Sequence, residues 1–211
     1  MRTVVGIVGY YPFLRGYPLG PELMEGLRAP WAQGLDIREM NWGPIAIVQD
    51  FQAQPERPER VVLVGAVDRG LPPGTVSCRR WAGGALDPLA VQRRVFEGVT
   101  GVISLDNLLV IGAHFKVWPE ALITVELQSQ EGDVSDLVLG EIERGRLSGS
   151  IGVVGEQPLT PANRRIVDRL VDAVRRAALE DELPGAEPLR VEQLTAAAPF
   201  SHHRFFDEPV R

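Results

Sequence analysis

Thr3-Val-Val-Gly-Ile-Val8 is an unbroken apolar, mostly β-branched run that stops at Gly9. A strand with one face in water alternates polar and apolar residues, whereas a strand without polar positions needs cover on both faces, as at the centre of a parallel sheet. Val61-Val-Leu-Val64 is a further strand of this kind, and Leu122-Ile-Thr-Val-Glu-Leu127 reads as a third central strand. Helical spacing lies between them. Leu19, Leu23, Met24 and Leu27 surround a start at Gly20-Pro21, and Ile166, Val167, Leu170, Val171 and Val174 recur behind Thr160-Pro161 with Arg and Asp between them. Strands alternating with amphipathic helices specify an α/β fold of three layers, a mainly parallel central sheet with helices on both faces.

The remaining segments fit the same plan. Leu35 to Met40 reads as a second strand, Pro44 to Phe51 and Pro88 to Phe96 as short helices, and Thr75 to Arg79 as a half-buried strand expected at a sheet edge. Ser104 is an N-cap candidate for a helix expected to bury Leu105, Leu108, Leu109 and Phe115. Residues 131–150 are polar, acidic and glycine-bearing, and are expected to form a surface insertion before the apolar run Ile151-Gly-Val-Val154. The expected organisation is one domain over residues 1–180 and a C-terminal arm or tail over 181–211, where composition turns to Pro, Glu and Ala.

Composition narrows the function classes. Lys and Arg number 22 against 28 Asp and Glu, and no basic stripe offsets that balance, so nucleic acid is not an expected partner. No run reaches the roughly 18 to 20 apolar residues of a membrane span. Cys78 is the single cysteine, and Met1 to Gly9 is too short for a signal-peptide core, so a cytoplasmic location is expected.

In open α/β sheets ligands bind in the crevice at the carboxyl ends of the strands, which here means the loops after Val8 and Val64. The first loop crowds Tyr10, Tyr11, Phe13, Arg15 and Tyr17, a set suited to anchoring a protein partner; burial of the same rings is the competing reading. Asp68 in the second loop is a binding candidate or a turn residue capping its own backbone. Asp106 and Asn107 follow a helix start, where stabilisation of the helix suffices to explain them. His114 and the His202-His203 pair have no partners at metal-ligand spacing, and Cys78 has no neighbouring His to activate it.

Four stretches resemble the hydrogenase maturation proteases, endopeptidases that trim the C-terminal extension of a nickel-iron hydrogenase large subunit. They are the strand and loop through Gly9-Tyr-Tyr-Pro-Phe-Leu-Arg-Gly-Tyr-Pro-Leu-Gly20, the turn Val64-Gly-Ala-Val-Asp-Arg-Gly-Leu-Pro-Pro-Gly-Thr75, the helix entry Gly101-Val-Ile-Ser-Leu-Asp-Asn-Leu-Leu109, and Gln157-Pro-Leu-Thr-Pro161 before the last helix. The second is the most specific. The resemblance spans about Met1 to Ala178 and implies the family's fold. It also places the family's metal ligands, two carboxylates and a His, on Tyr17, Gly65 and Gly101. Neither glycine offers a donor, and no Asp or Glu occurs from Met1 to Gly20, so no metal or other cofactor is expected and no catalytic residue is assigned.

Two functions of different class remain. One is a maturation-protease homologue without metal-dependent cleavage, serving as a binding or assembly module for a hydrogenase large subunit or related complex through Tyr10, Tyr11, Arg15, Tyr17 and Asp68. The other is a working endopeptidase using other acids, such as Asp68 and Asp106, or the substrate's own nickel. The first loop also resembles, faintly, that of pyroglutamyl peptidases, but Cys78 lies in the wrong element for their nucleophile.

Overall fold

The computed structural model describes residues 2–10, 16–99, 103–128 and 159–195. Strand β1 is Thr3–Val8, with every residue buried. Helix α1 (Pro21–Leu27) follows, then a 3₁₀ turn (Pro30–Ala32), β2 (Asp36–Met40), α2 (Pro44–Ala53) and β3 (Arg60–Val67). The chain continues through β4 (Val76–Gly83), α3 (Pro88–Val99), α4 (Leu105–His114) and β5 (Ala121–Gln128). Helix α5 (Pro161–Leu179), β6 (Glu187–Arg190) and a second 3₁₀ turn (Val191–Gln193) complete the described chain.

The sheet order is β2-β1-β3-β5-β4-β6. Strands β2, β1, β3 and β5 are parallel, β4 runs antiparallel to β5, and β6 is parallel to β4. On one face Val5, Ile7, Val62 and Val64 pack with Leu23 and Leu27 of α1 and Leu170 and Val174 of α5. On the other, Val4, Val8 and Leu63 pack with Ile47 and Phe51 of α2 and Leu108 and Ile111 of α4. This is the three-layer α/β arrangement expected from the central strands, in which each fully buried aliphatic side chain contributes about 1.5–3 kcal/mol. Gly6 is required by packing rather than by φ, because a Cβ there would lie 2.3 Å from Met40 Sδ, which crosses it from β2.

Ser104 caps α4, its hydroxyl oxygen accepting from the Asn107 N–H at 3.1 Å. Ser104→Ala is expected to cost about 1 kcal/mol, the usual value of such a cap, as a lowered urea midpoint with unchanged slope. Phe115 departs from expectation. It sits at the C-cap, 42% exposed, because Lys116 turns the backbone into the left-handed region (φ 56°) and ends the helix before the ring can reach the core.

The strand from Val76 is not at the sheet edge, since β6 pairs outside it. Part of the segment read as an arm supplies that pairing: Leu183 is buried and Leu189 is fully so, although its neighbours Glu187, Pro188 and Arg190 are exposed. The insertion at 131–150, the run Ile151–Val154 and residues 196–211 lie outside the described residues.

Candidate functional site

The chain leaves β1 for β2 on one side and returns to β3 on the other, so the topological switch point lies between β1 and β3. The loop after β1 is held at both of its described ends. The Tyr10 N–H donates to Asn41 Oδ1 at 2.8 Å, and the Gly16 carbonyl accepts from Asn163 Nδ2, at the start of α5, at 2.7 Å. Tyr10 is buried, in one cluster with Leu19 and Leu23, so its ring is committed to the core. Tyr17 is half-buried against that same cluster and begins a turn closed by Gly20 N–H to Tyr17 C=O at 2.9 Å. Tyr11, Arg15 and Gly101 lie outside the described residues.

Gly65 faces the opposite side of the sheet from the cluster that holds Tyr17. A Cβ at Gly65 would stand 3.1 Å from Leu105 Cβ and 3.6 Å from Val8 Cβ, both members of the α2/α4 cluster. The space a side chain would need here is taken by Leu105, the first residue of α4. A divalent ion needs several oxygen or imidazole donors, so a position that has no side chain and is backed by hydrocarbon does not fit one. Among the described residues no three His, Cys, Asp or Glu side chains are grouped to hold a metal ion.

What occupies the carboxyl ends of β3 and β5 is an arginine. Arg69 grips Asp106 with both terminal nitrogens, Nη1 to Oδ2 at 2.8 Å and Nη2 to Oδ1 at 2.6 Å. The same guanidinium reaches Glu126 through Nε at 3.2 Å and Nη2 at 2.9 Å. The three side chains are 5%, 6% and 1% exposed. Burial opposes the arginine's charge, but the bonds from Asp106 and Glu126 outweigh it and hold Arg69 more firmly protonated than usual. Arg79 lies 3.4 Å from Glu126, and Arg94 donates to Asn107 at 2.8 Å and lies 3.5 Å from Glu97. Opposite charges therefore meet throughout this buried set, as burial demands.

Gln128 knits the adjoining loop together. Its Oε1 accepts from the Arg69 N–H at 2.8 Å, and its Nε2 donates to Asp68 Oδ1 at 2.9 Å. Asp68 Oδ1 also accepts from the Gly70 N–H at 3.1 Å, which is the backbone-capping role open to a turn aspartate. The Gln128 amide, then the Gly70 N–H, hold the exposed Asp68 carboxyl below the usual carboxylate range. Pro73 and Gly74 (φ 78°) stand at the two central positions of the turn that returns the chain at Thr75, whose N–H bonds the Pro72 carbonyl at 3.1 Å.

Sequence reasoning missed Arg69, Arg94 and Glu126, and gave Asp106 a helix-stabilising role, with a place in a catalytic site only under the endopeptidase alternative. One signal was present: Thr124, Glu126 and Gln128 alternate, placing three polar residues on a single face of an otherwise apolar strand. All three are buried, on the face toward α4. Elsewhere, a cleft of about 720 Å³ lies between α5 and β4 and includes Cys78, Arg79 and Arg176. Burial pushes the Cys78 thiol up, although Arg176 opposes the shift, so this cysteine is a poor nucleophile. His114 is exposed and makes an edge contact with the Phe115 ring at 5.1 Å.

The chain is similar to hydrogenase maturation proteases of known structure. Endopeptidase HycI from Escherichia coli is 21% identical at a TM-score of 0.48, the match covering 91% of this chain and 99% of that one. The hydrogenase 3 maturation protease is 18% identical at 0.48, covering 89% and 97%. A hydrogenase 2 maturation peptidase from a Thaumarchaeota archaeon is 16% identical at 0.45, covering 86% and 100%. No protein-family model and no curated protein matches the sequence.

Proposed function

We propose that this chain is a maturation-protease-like binding or assembly module that does not perform metal-dependent cleavage, and that its partner is a protein such as a hydrogenase large subunit. The motifs around Gly9, Gly65 and Leu105 support the family reading. The observation that carries the loss of cleavage is the closure of Gly65: the position matching a family ligand has no side chain, and Leu105 fills the space before it. The acids nearest by sequence do not replace it, because Asp106 is engaged by Arg69 and Asp68 by Gln128 and Gly70. Tyr11, Arg15 and the half-buried Tyr17 are the contact residues this reading assigns, whereas Tyr10 supports the loop from within the core.

The test incubates tag-free protein with a nickel-loaded hydrogenase large subunit that retains its C-terminal extension. Co-elution of the two chains with the subunit unshortened is expected, and Tyr17→Ala should weaken it by about 2 kcal/mol if the ring is a central anchor. Removal of the extension would establish the working endopeptidase instead.

A further inference from the structure

One residue near the end of the described chain is bound in the manner of a ligand. The Thr195 N–H donates to Asp106 Oδ2 at 2.8 Å, and its carbonyl accepts from Arg94 Nη2. Its hydroxyl donates to the Asp68 carbonyl at 2.9 Å. Asp106 and Arg94 are both buried, and each is fixed by a second partner, Arg69 for the first and Asn107 for the second. Two buried, pre-oriented side chains thus satisfy both backbone groups of a single residue.

Upstream, Glu187–Arg190 adds to β4 as a strand, in the way an extended peptide adds to an open sheet edge. In this stretch Leu189 alone is buried, packing in the α2/α4 cluster with half-buried Trp81 and Leu194 beside it. The turn at Val191–Gln193 buries nothing. Backbone pairing, one aliphatic pocket and a polar clamp six residues further on are the elements of a peptide-recognition groove. A segment with so little buried surface belongs to the part of a fold that opens most readily.

We propose that the β4 edge, the Leu189 pocket and the Arg94–Asp106 clamp form a peptide-binding groove, filled here in cis by residues 187–195. Its ligand is an extended segment with an aliphatic residue at the place of Leu189 and a small hydroxylated residue at the place of Thr195. The clamp reads N–H and C=O together, so proline cannot replace Thr195 in such a ligand. The binding-module reading supplies a reason for a foreign segment to enter, but the groove is defined by the chain's own peptide and is tested with it.

A protease recognition site is placed between Pro184 and Gly185, both exposed, and cut after the full chain has folded. The probe is a fluorescent, C-terminally amidated peptide of residues 185–195. The cut fragment is expected to co-elute with the body, and excess labelled peptide to replace it. Peptides carrying Thr195→Pro or Leu189→Ala should need at least about tenfold higher concentration, as loss of a charge-assisted bond or a buried side chain implies. Since the changes are made in the peptide, folding of the body is unaffected by them. Three results would overturn the proposal: a folded body that takes up no peptide, a body that unfolds on cutting, or equal competition by all three peptides. None of these bears on whether the intact chain co-elutes with a large subunit.

Discussion

Arg69→Ala is expected to destabilise the protein by about 3–5 kcal/mol, the range found when one partner of a buried ion pair is removed. Asp106 and Glu126 would then face one another in a site only a few per cent exposed, with no bidentate donor between them. Arg79, at 3.4 Å from Glu126, compensates one carboxylate in part and leaves Asp106 with the Thr195 N–H. The measurement is urea unfolding at pH 7, with a matched chain carrying Arg69→Ala, Asp106→Asn and Glu126→Gln. Neutral amides remove the repulsion, so the triple variant is expected to recover part of the loss. A single-variant loss below about 1 kcal/mol would place this arginine among ordinary surface ion pairs and refute its central role.

Gly65→Asp, which puts a carboxylate where the family resemblance places one, is expected to cost at least about 2 kcal/mol and to restore no metal binding. Its Cβ would stand 3.1 Å from Leu105 Cβ, an atom close to the helix backbone, so α4 itself must move. Overpacking of this kind costs about 1–3 kcal/mol, and a desolvated carboxylate adds to it. Gly65→Ala separates the two effects by keeping the contact without the charge. The sign with pH is fixed by burial, which raises the new group's pKa in the folded state. The part of the excess penalty of Asp over Ala that comes from ionisation is therefore absent below the unfolded carboxyl value of about 4 and grows as pH rises above it. Unfolding midpoints for both variants at pH 4 and pH 7 test this. An equal midpoint shift for Asp and Ala at both values would show that the new carboxylate is not buried.

What a close local reading could settle was settled by periodicity. Thr3–Val8 emerged with the bounds expected of it, because five of its six buried positions are aliphatic or glycine, Thr3 is the one polar residue at its start, and Gly9 (φ 70°) ends the run in a conformation that favours glycine. Helix α5 was legible for the related reason that Pro161 and the 3.6-residue spacing of Ile166, Leu170 and Val174 are properties of the helix alone. That Gly65 has no side chain and that no Asp or Glu occurs from Met1 to Gly20 was equally plain, since an absent side chain needs no structure to reveal it. The rest depended on pairs distant in sequence. Arg69 meets Asp106 across 37 residues and Glu126 across 57, and Thr195 meets Asp106 across 89. Each of these residues by itself has an ordinary explanation as a turn, a cap, a strand or a tail. Their joint role arises because β3 and β5 end side by side and α4 begins beside them, in a site dry enough that an unpaired charge there would be costly. That dryness belongs to the packed sheet and its helices, and local sequence does not encode it.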